Sequence, residues 1–284
     1  MALERNMAQL EAYKRQQSDE QKTLKEKMGK IKHKIAIISG KGGVGKSTVT
    51  VNLATAFAMQ GKRVGVLDSD IHGPSVPRLL GLEGKQVETV LSGVIPVNGP
   101  LGMKVMSIDF FLPEQAPTIW RGPLKMRAIR QFLTDTVWGD LDFLFIDLPP
   151  GTGDEPLSIA QLIPEIDGVV IVTMPSDLSS SIVKKAITFA ERLNMPIIGV
   201  VENMSGFICP HCGQKTEIFQ SGGGKKMAQE MNVAFLGSIP IDPEVGVDSD
   251  KGTPFVFSHK ESAATKAFME IVKKVDEFVK NEQK

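Results

Sequence analysis

The sequence predicts an α/β fold, a mainly parallel sheet with helices on both faces. Short, continuous apolar runs recur along the chain without polar alternation, as strands buried on both sides do. Amphipathic stretches of helical length lie between most of them. A strand, a crossover helix and a parallel strand connect right-handedly, so this succession covers both faces of one sheet.

The elements follow in order. Ile35-Ala36-Ile37-Ile38-Ser39 reads as the first buried strand, and Lys46 to Gln60 as a helix stopped by Gly61. Val64–Leu67 is the next strand, ending at Asp68-Ser69-Asp70. Further strands are expected at Met103–Ile108, Leu141–Leu148, Gly168–Thr173, Ile197–Val201 and Phe235–Ile239. Helices are expected at Leu124–Val137, Glu155–Ile163, Ser179–Asn194 and Gly224–Met231. A last helix opens with the capping box Ser258-His259-Lys260-Glu261 and runs to about Lys280. Its stripe of Phe268, Ile271, Val272, Val275, Phe278 and Val279 is expected to pack on the sheet. Glu83–Gly102 has no clear period and reads as a hairpin-like excursion.

Residues 1–33 form a polar, partly helical extension, in which Leu24, Met28 and Ile31 recur at helical spacing as a docked last turn. Residues 34–284 read as a single domain, with a long loop at 203–224 that holds both cysteines.

Composition narrows the function classes. Of 284 residues, 42% are hydrophobic and 23% charged, which suits a packed core and argues against disorder. The 33 basic and 33 acidic residues cancel, so no nucleic-acid partner is expected by charge alone. No apolar run approaches the roughly 18 residues of a membrane span, and the N-terminus lacks the apolar region of a signal peptide. A cytoplasmic protein without a membrane partner is expected. Two cysteines exclude a disulfide scaffold.

The chemistry begins at Gly40-Lys41-Gly42-Gly43-Val44-Gly45-Lys46-Ser47-Thr48, which satisfies G-x-x-x-x-G-K-[ST] between a strand and a helix. Glycine-rich backbone can turn its N–H groups inward around a phosphate, and the helix N-terminus adds partial positive charge. Lys46 is expected on the β/γ-phosphates and the Ser47 hydroxyl on Mg²⁺. Phe143-Leu144-Phe145-Ile146-Asp147 is an apolar strand ending in a carboxylate, the Walker B arrangement for the same ion. The following Leu148-Pro149-Pro150-Gly151-Thr152-Gly153-Asp154 is placed to sense a γ-phosphate. Asp68 and Asp70 end the second strand at the same sheet edge. Asp70 is the candidate to orient the attacking water or hold Mg²⁺ through water, although Asp-Ser-Asp is also ordinary turn chemistry.

Lysine directly after the first glycine makes this loop resemble the deviant Walker A of the MinD/ParA and nitrogenase iron-protein class of P-loop NTPases. That resemblance implies that Lys41 crosses a homodimer interface to the partner's ATP. Within the class, the chain is most similar to the Mrp-type iron–sulfur carrier ATPases. The similarity rests on Asp68-Ser69-Asp70-Ile71-His72-Gly73-Pro74-Ser75, Trp120-Arg121-Gly122-Pro123, Asp147 to Asp154, Glu202-Asn203-Met204-Ser205 and Cys209-Pro210-His211-Cys212-Gly213. It implies that Asn203 reads the adenine edge, with Pro240 and Asp242 near the base. It also implies a [4Fe–4S] cluster bridging two chains, apo iron–sulfur proteins as recipients, and a cluster-assembly scaffold as a further partner. Trp120 and Arg121 have no role read from spacing.

A [4Fe–4S] cluster takes four thiolates and one chain supplies two, Cys209 and Cys212. A two-fold dimer repeats the C-x-x-C on both subunits and completes the set. From spacing alone tetrahedral zinc leads, and a dithiol redox pair is a further reading; the resemblance moves the reading to iron–sulfur. The alternative is a MinD/ParA-like positioning ATPase whose C-x-x-C binds zinc or is structural.

Overall fold

A computed structural model describes residues 21–111, 122–175, 177–209, 212–219 and 221–281. A helix over residues 21–28 (α1) leads into β1 (Ile31–Ile38), α2 (Lys46–Met59), β2 (Val64–Asp68) and the short α3 (Val76–Leu79). The excursion holds β3 (Glu88–Val90), β4 (Gly93–Ile95) and β5 (Val97–Asn98) before β6 (Lys104–Met106). Then come α4 (Gly122–Asp135), β7 (Leu141–Asp147), α5 (Asp154–Leu162), β8 (Gly168–Thr173), α6 (Asp177–Arg192) and β9 (Ile197–Glu202). The small strands β10 (Phe207–Ile208) and β11 (Lys215–Thr216) precede α7 (Gly223–Glu230) and β12 (Phe235–Ser238). The chain closes with α8 (Pro243–Lys251), α9 (Phe255–Ser258) and α10 (Ala263–Asn281).

The main sheet has eight strands in the order β12-β9-β8-β1-β7-β2-β6-β5. All its neighbours pair in parallel except β5, which runs antiparallel to β6 at the edge. β1 lies in the middle, between β7 and β8, so the loop after it opens at the centre of the sheet's C-terminal edge.

Successive residues of a strand face opposite layers, and the two cores separate by parity. Ile35, Ile37, Phe143 and Phe145 join α2, α9 and α10 in one core, through Phe57, Phe255, Phe268 and Ile271. Ala36, Ile38, Leu144 and Ile146 join the other, with Leu24, Met28, Ile129, Ile159, Val183 and Met227. The stripe of α10 is thus spent on the protein's own sheet: Phe268, Ile271, Val272, Val275 and Val279 are buried. No helix among the described residues is long and apolar enough to cross a membrane.

Two expectations change. Ile31 opens β1 instead of continuing a helix, so the strand starts four residues before Ile35 and before the expected domain start at residue 34. Leu24 and Met28 do pack into the core from α1. The last helix starts not at Ser258 but at Ala263, because Ser262 Oγ accepts from Thr265 N at 3.0 Å, while Ser258 ends α9. The helix α8 lies where no element is expected; the Asp242 side chain caps it by accepting from Glu244 N, and Pro243 starts it. The hairpin-like excursion is present as the antiparallel pair β3–β4. Trp120, Arg121, Pro210, His211 and residues 1–20 lie outside the described residues.

Candidate functional site

The loop between β1 and α2 is built to leave donors open. Gly45 caps α2 in the left-handed region, at φ 76°, with no side chain covering the helix N-terminus and no acidic residue in the first turn. The orphan N–H groups of this turn therefore face a cavity of about 260 Å³, lined by Gly42, Gly43, Gly45, Lys46, Ser47 and Thr48. Asp70, Ser75 and Pro150 close it from the other loops. A Cβ on Gly45 would sit 2.3 Å from Asn203 Nδ2, so both the space and the backbone angle demand glycine.

Asp147 ends β7 with its carboxylate fully buried beneath this cradle. Its Oδ2 accepts from Ser47 Oγ at 2.5 Å and lies 2.7 Å from Lys46 Nζ, while Oδ1 accepts from Thr50 Oγ1 at 2.6 Å. Thr50 stands one helical turn after Lys46, and its part in fixing this carboxylate was not read from the sequence. The Ser47 hydroxyl and the Asp147 carboxylate are hard oxygen donors side by side. They fit a magnesium ion, which retains waters and binds through few protein oxygens.

Asp68 and Asp70 divide the roles that turn chemistry offers. Asp68 is buried and accepts from Ser75 N and Val76 N at 3.1 Å, so it fixes the start of α3. Burial and the Asp147 charge push its carboxyl up to about 8, against Lys46 and the backbone N–H groups of Val76 and Asp70. Asp70 Oδ1 accepts from His72 N and Gly73 N at 3.2 Å, an Asx-type turn, and the same residue borders the phosphate cavity. Lys41 is half-buried at the cradle, and among the described residues its ammonium forms no ion pair.

A second cavity, of about 300 Å³, adjoins the first through Gly45 and Thr48. Asn203, Met204, Pro240, Ile241 and Asp242 line it together with Val245, Gly246 and Ser249 of α8. Asn203 Nδ2 donates to the Val44 carbonyl at 2.9 Å, tying the end of β9 to the glycine loop. The Asp242 carboxylate is engaged at the α8 N-terminus by Glu244 N, so it borders the cavity as a helix cap.

Glu202, the residue before Asn203, is a completely buried carboxylate. It accepts from Ser205 Oγ at 2.5 Å, Gly222 N at 3.0 Å and Gly224 N at 2.6 Å. Both ends of the cysteine loop thereby close on one side chain. A glutamate ending an apolar strand was the available signal, but the two glycine partners lie some twenty residues away in sequence and were not legible. Between those ends, β10 and β11 pair as a hairpin, Phe207 with Thr216 and Ile208 with Lys215. Cys209 and Cys212 sit at its tip, in the turn where Cys209 N donates to Gln214 O and Gly213 N to Cys209 O. Cys212 is exposed and Cys209 half-buried, with the apolar side chains of Ile208, Ile218 and Phe219 exposed nearby in the chain.

Known proteins share this architecture and sequence. Residues 30–276 match the family model ParA, described as NUBPL iron-transfer P-loop NTPase. The iron–sulfur cluster carrier protein of Methanocaldococcus jannaschii is 54% identical over 261 residues, 92% of this chain and 89% of that protein. Its counterpart from Saccharolobus solfataricus is 54% identical over 258 residues, 90% and 87% of the two chains. A nucleotide-binding protein from Archaeoglobus fulgidus, solved in complex with ADP, superposes with a TM-score of 0.75 at 46% identity, covering 82% of this chain and 92% of that one. MinD from Pyrococcus horikoshii, TM-score 0.62 at 22% identity over 86% of this chain and 96% of its own, shares the fold. The chain belongs to the ParA family of NUBPL iron-transfer P-loop NTPases.

Proposed function

We propose that the chain is an ATP-hydrolysing iron–sulfur cluster carrier that works as a homodimer. In this reading one [4Fe–4S] cluster is held between Cys209 and Cys212 of two protomers and passed to apo-proteins after loading from an assembly scaffold. One observation carries the reading. Consecutive residues at the end of β9 grip the two functional loops: Asn203 holds the glycine loop at Val44, and Glu202 holds the cysteine loop at Gly222 and Gly224. The two grips share one strand end, so a rearrangement of the glycine loop around the phosphates has a short covalent route to the base of the cysteine hairpin.

The nucleotide steps follow from the cradle. Backbone N–H groups of Gly42, Gly43, Gly45 and Lys46 surround the β-phosphate, and the adenine enters the cavity lined by Asn203 and Pro240. Ser47 and Asp147 would hold a magnesium ion, which would supply positive charge to offset that of the transferring phosphoryl group. Lys46 leaves its contact with Asp147 for the γ-phosphoryl group, and the partner's Lys41 reaches the same oxygens. Asp70 orients the water for in-line attack. The exposed Ile208, Ile218 and Phe219 supply apolar area for the two-fold contact that brings four thiolates together.

The test is anaerobic reconstitution followed by iron, sulfide and zinc analysis against mass by light scattering. The expected result is one four-iron cluster per dimer, with Cys209→Ala and Cys212→Ala chains that bind ATP but keep no cluster. A full cluster on a strict monomer overturns the bridged site. A colourless dimer holding zinc alone supports the positioning-ATPase alternative.

A further inference from the structure

We propose that Glu244, Asp248 and His259 form a binding site for one first-row divalent transition ion, apart from both the nucleotide and the cysteine sites. Glu244 and Asp248 stand one turn apart on α8, and His259 follows the last residue of α9. One donor atom from each lies within 4.8 Å of the other two. Protein donors sharing one ion at bonds of about 2.0–2.2 Å lie roughly 3–4 Å apart. Asp248 Oδ2 and His259 Nε2 already meet this spacing at 3.0 Å. Glu244 is exposed, so its carboxylate can close the remaining gap by a small rotation.

The second observation is Asp248 itself. Its side chain is only 7% exposed, and Oδ2 is a buried oxygen without a hydrogen-bond partner. His259 Nε2 is close, yet its approach is not that of an aligned N–H donor. The two atoms thus lie close together without a hydrogen bond between them, and both remain able to ligate an ion. The imidazole is preset: its ring stacks on buried Phe255 at 4.8 Å, and His259 N donates to Phe255 O at 2.9 Å.

One imidazole and two carboxylates make a mixed nitrogen–oxygen set. It suits zinc or manganese better than calcium or magnesium, which prefer oxygen alone. The α8 residues Val245, Gly246 and Ser249 line the cavity beside the glycine loop. An ion here would pin α8 to the α9–α10 turn and steady one wall of that cavity.

The experiment uses the full chain carrying Cys209→Ser and Cys212→Ser, free of nucleotide, so that the thiolates do not compete. Zinc is titrated by calorimetry, and manganese by broadening of the His259 imidazole resonances. The expected result is one saturable zinc per chain, weakened roughly tenfold or more by Glu244→Gln, Asp248→Asn or His259→Ala. Zinc should also raise the unfolding midpoint in the parent but not in the variants. Glu244→Gln changes an exposed side chain and keeps the test valid where Asp248→Asn unfolds. Absence of saturable binding, binding indifferent to all three substitutions, or a His259 resonance that titrates with pH unchanged under excess zinc overturns the site. The last outcome identifies a plain His–Asp ion pair.

Discussion

Lys46 and Asp147 form a 2.7 Å ion pair in which the lysine side chain is 6% exposed and the carboxylate fully buried. The pair joins the first turn of α2, which follows β1, to the end of β7, the neighbour of β1 in the sheet. It parks the lysine on the carboxylate where a nucleotide and its metal are expected to take over both groups. Lys46→Ala should therefore lower ATP turnover roughly a hundredfold to a thousandfold, as loss of one transition-state cation does. Unpairing Asp147 should also lower the unfolding midpoint. Turnover at the parent rate would show that the loop does not act on phosphate.

Gly45 and Asn203 compete for one space. Gly45→Ala forces a Cβ to within 2.3 Å of the Asn203 amide at a φ of 76°, and should destabilise by about 2 kcal/mol or more. Adding Asn203→Ala removes the clash but not the backbone strain. The double variant should regain part of the loss in urea unfolding, with weakened ADP binding. Simple additivity of the two changes would mean the contact is not shared.

Lys41 tests the dimer. Lys41→Ala should keep nucleotide affinity and lose turnover, since its ammonium makes no ion pair among the described residues. Mixing it with the hydrolysis-dead Lys46→Ala chain should restore activity in the hybrid dimer. Verified hybrids with no rescue at any ratio argue that Lys41 acts in its own chain.

Glu202→Gln places an amide nitrogen among three donors that converge on a carboxylate. Losing hydrogen bonds to a charged acceptor should cost about 2 kcal/mol or more. Iron retention after reconstitution should fall while ADP affinity stays within about twofold, because Asn203 keeps the glycine loop. Unchanged iron retention would sever the link between β9 and the cysteine hairpin.

His33 sets an acid limit on stability. Burial above all pushes its imidazole below the ordinary 6.5, with the Asp167 carboxylate opposing; the ring lies 5.0 Å from that of Phe143. The unfolded chain then takes up a proton before the folded one, so this contribution is full above pH 6.5 and is lost as pH falls through the lowered folded value. His33→Phe should flatten the dependence of unfolding free energy on pH between about 7.5 and 5. An unaltered slope would assign the acid sensitivity to other groups.

Seven of the eight strands of the main sheet, the crossover helices and the phosphate loop are legible in local pattern alone, and the edge strand β5 is not. Buried parallel strands are continuous apolar runs, and Gly40 to Thr48 encodes its geometry within nine adjacent residues. Gly168–Thr173 is the same as strand and as apolar run, and α2 begins at Lys46 as its glycine boundary requires. Ile31 was misread because one apolar residue fits both periods until its neighbours across β7 are known. The α10 start was misread because Ser258 to Glu261 matches a capping box in sequence, whereas in the fold Ser262 is the serine that caps the helix. Several polar partnerships, by contrast, arise only once the chain has folded. These are Thr50 on Asp147, Asp68 at the start of α3, Glu202 on the cysteine loop, and Asp248 beside His259. Each joins polar atoms that only the folded chain brings together, and local periodicity carries no trace of such a meeting.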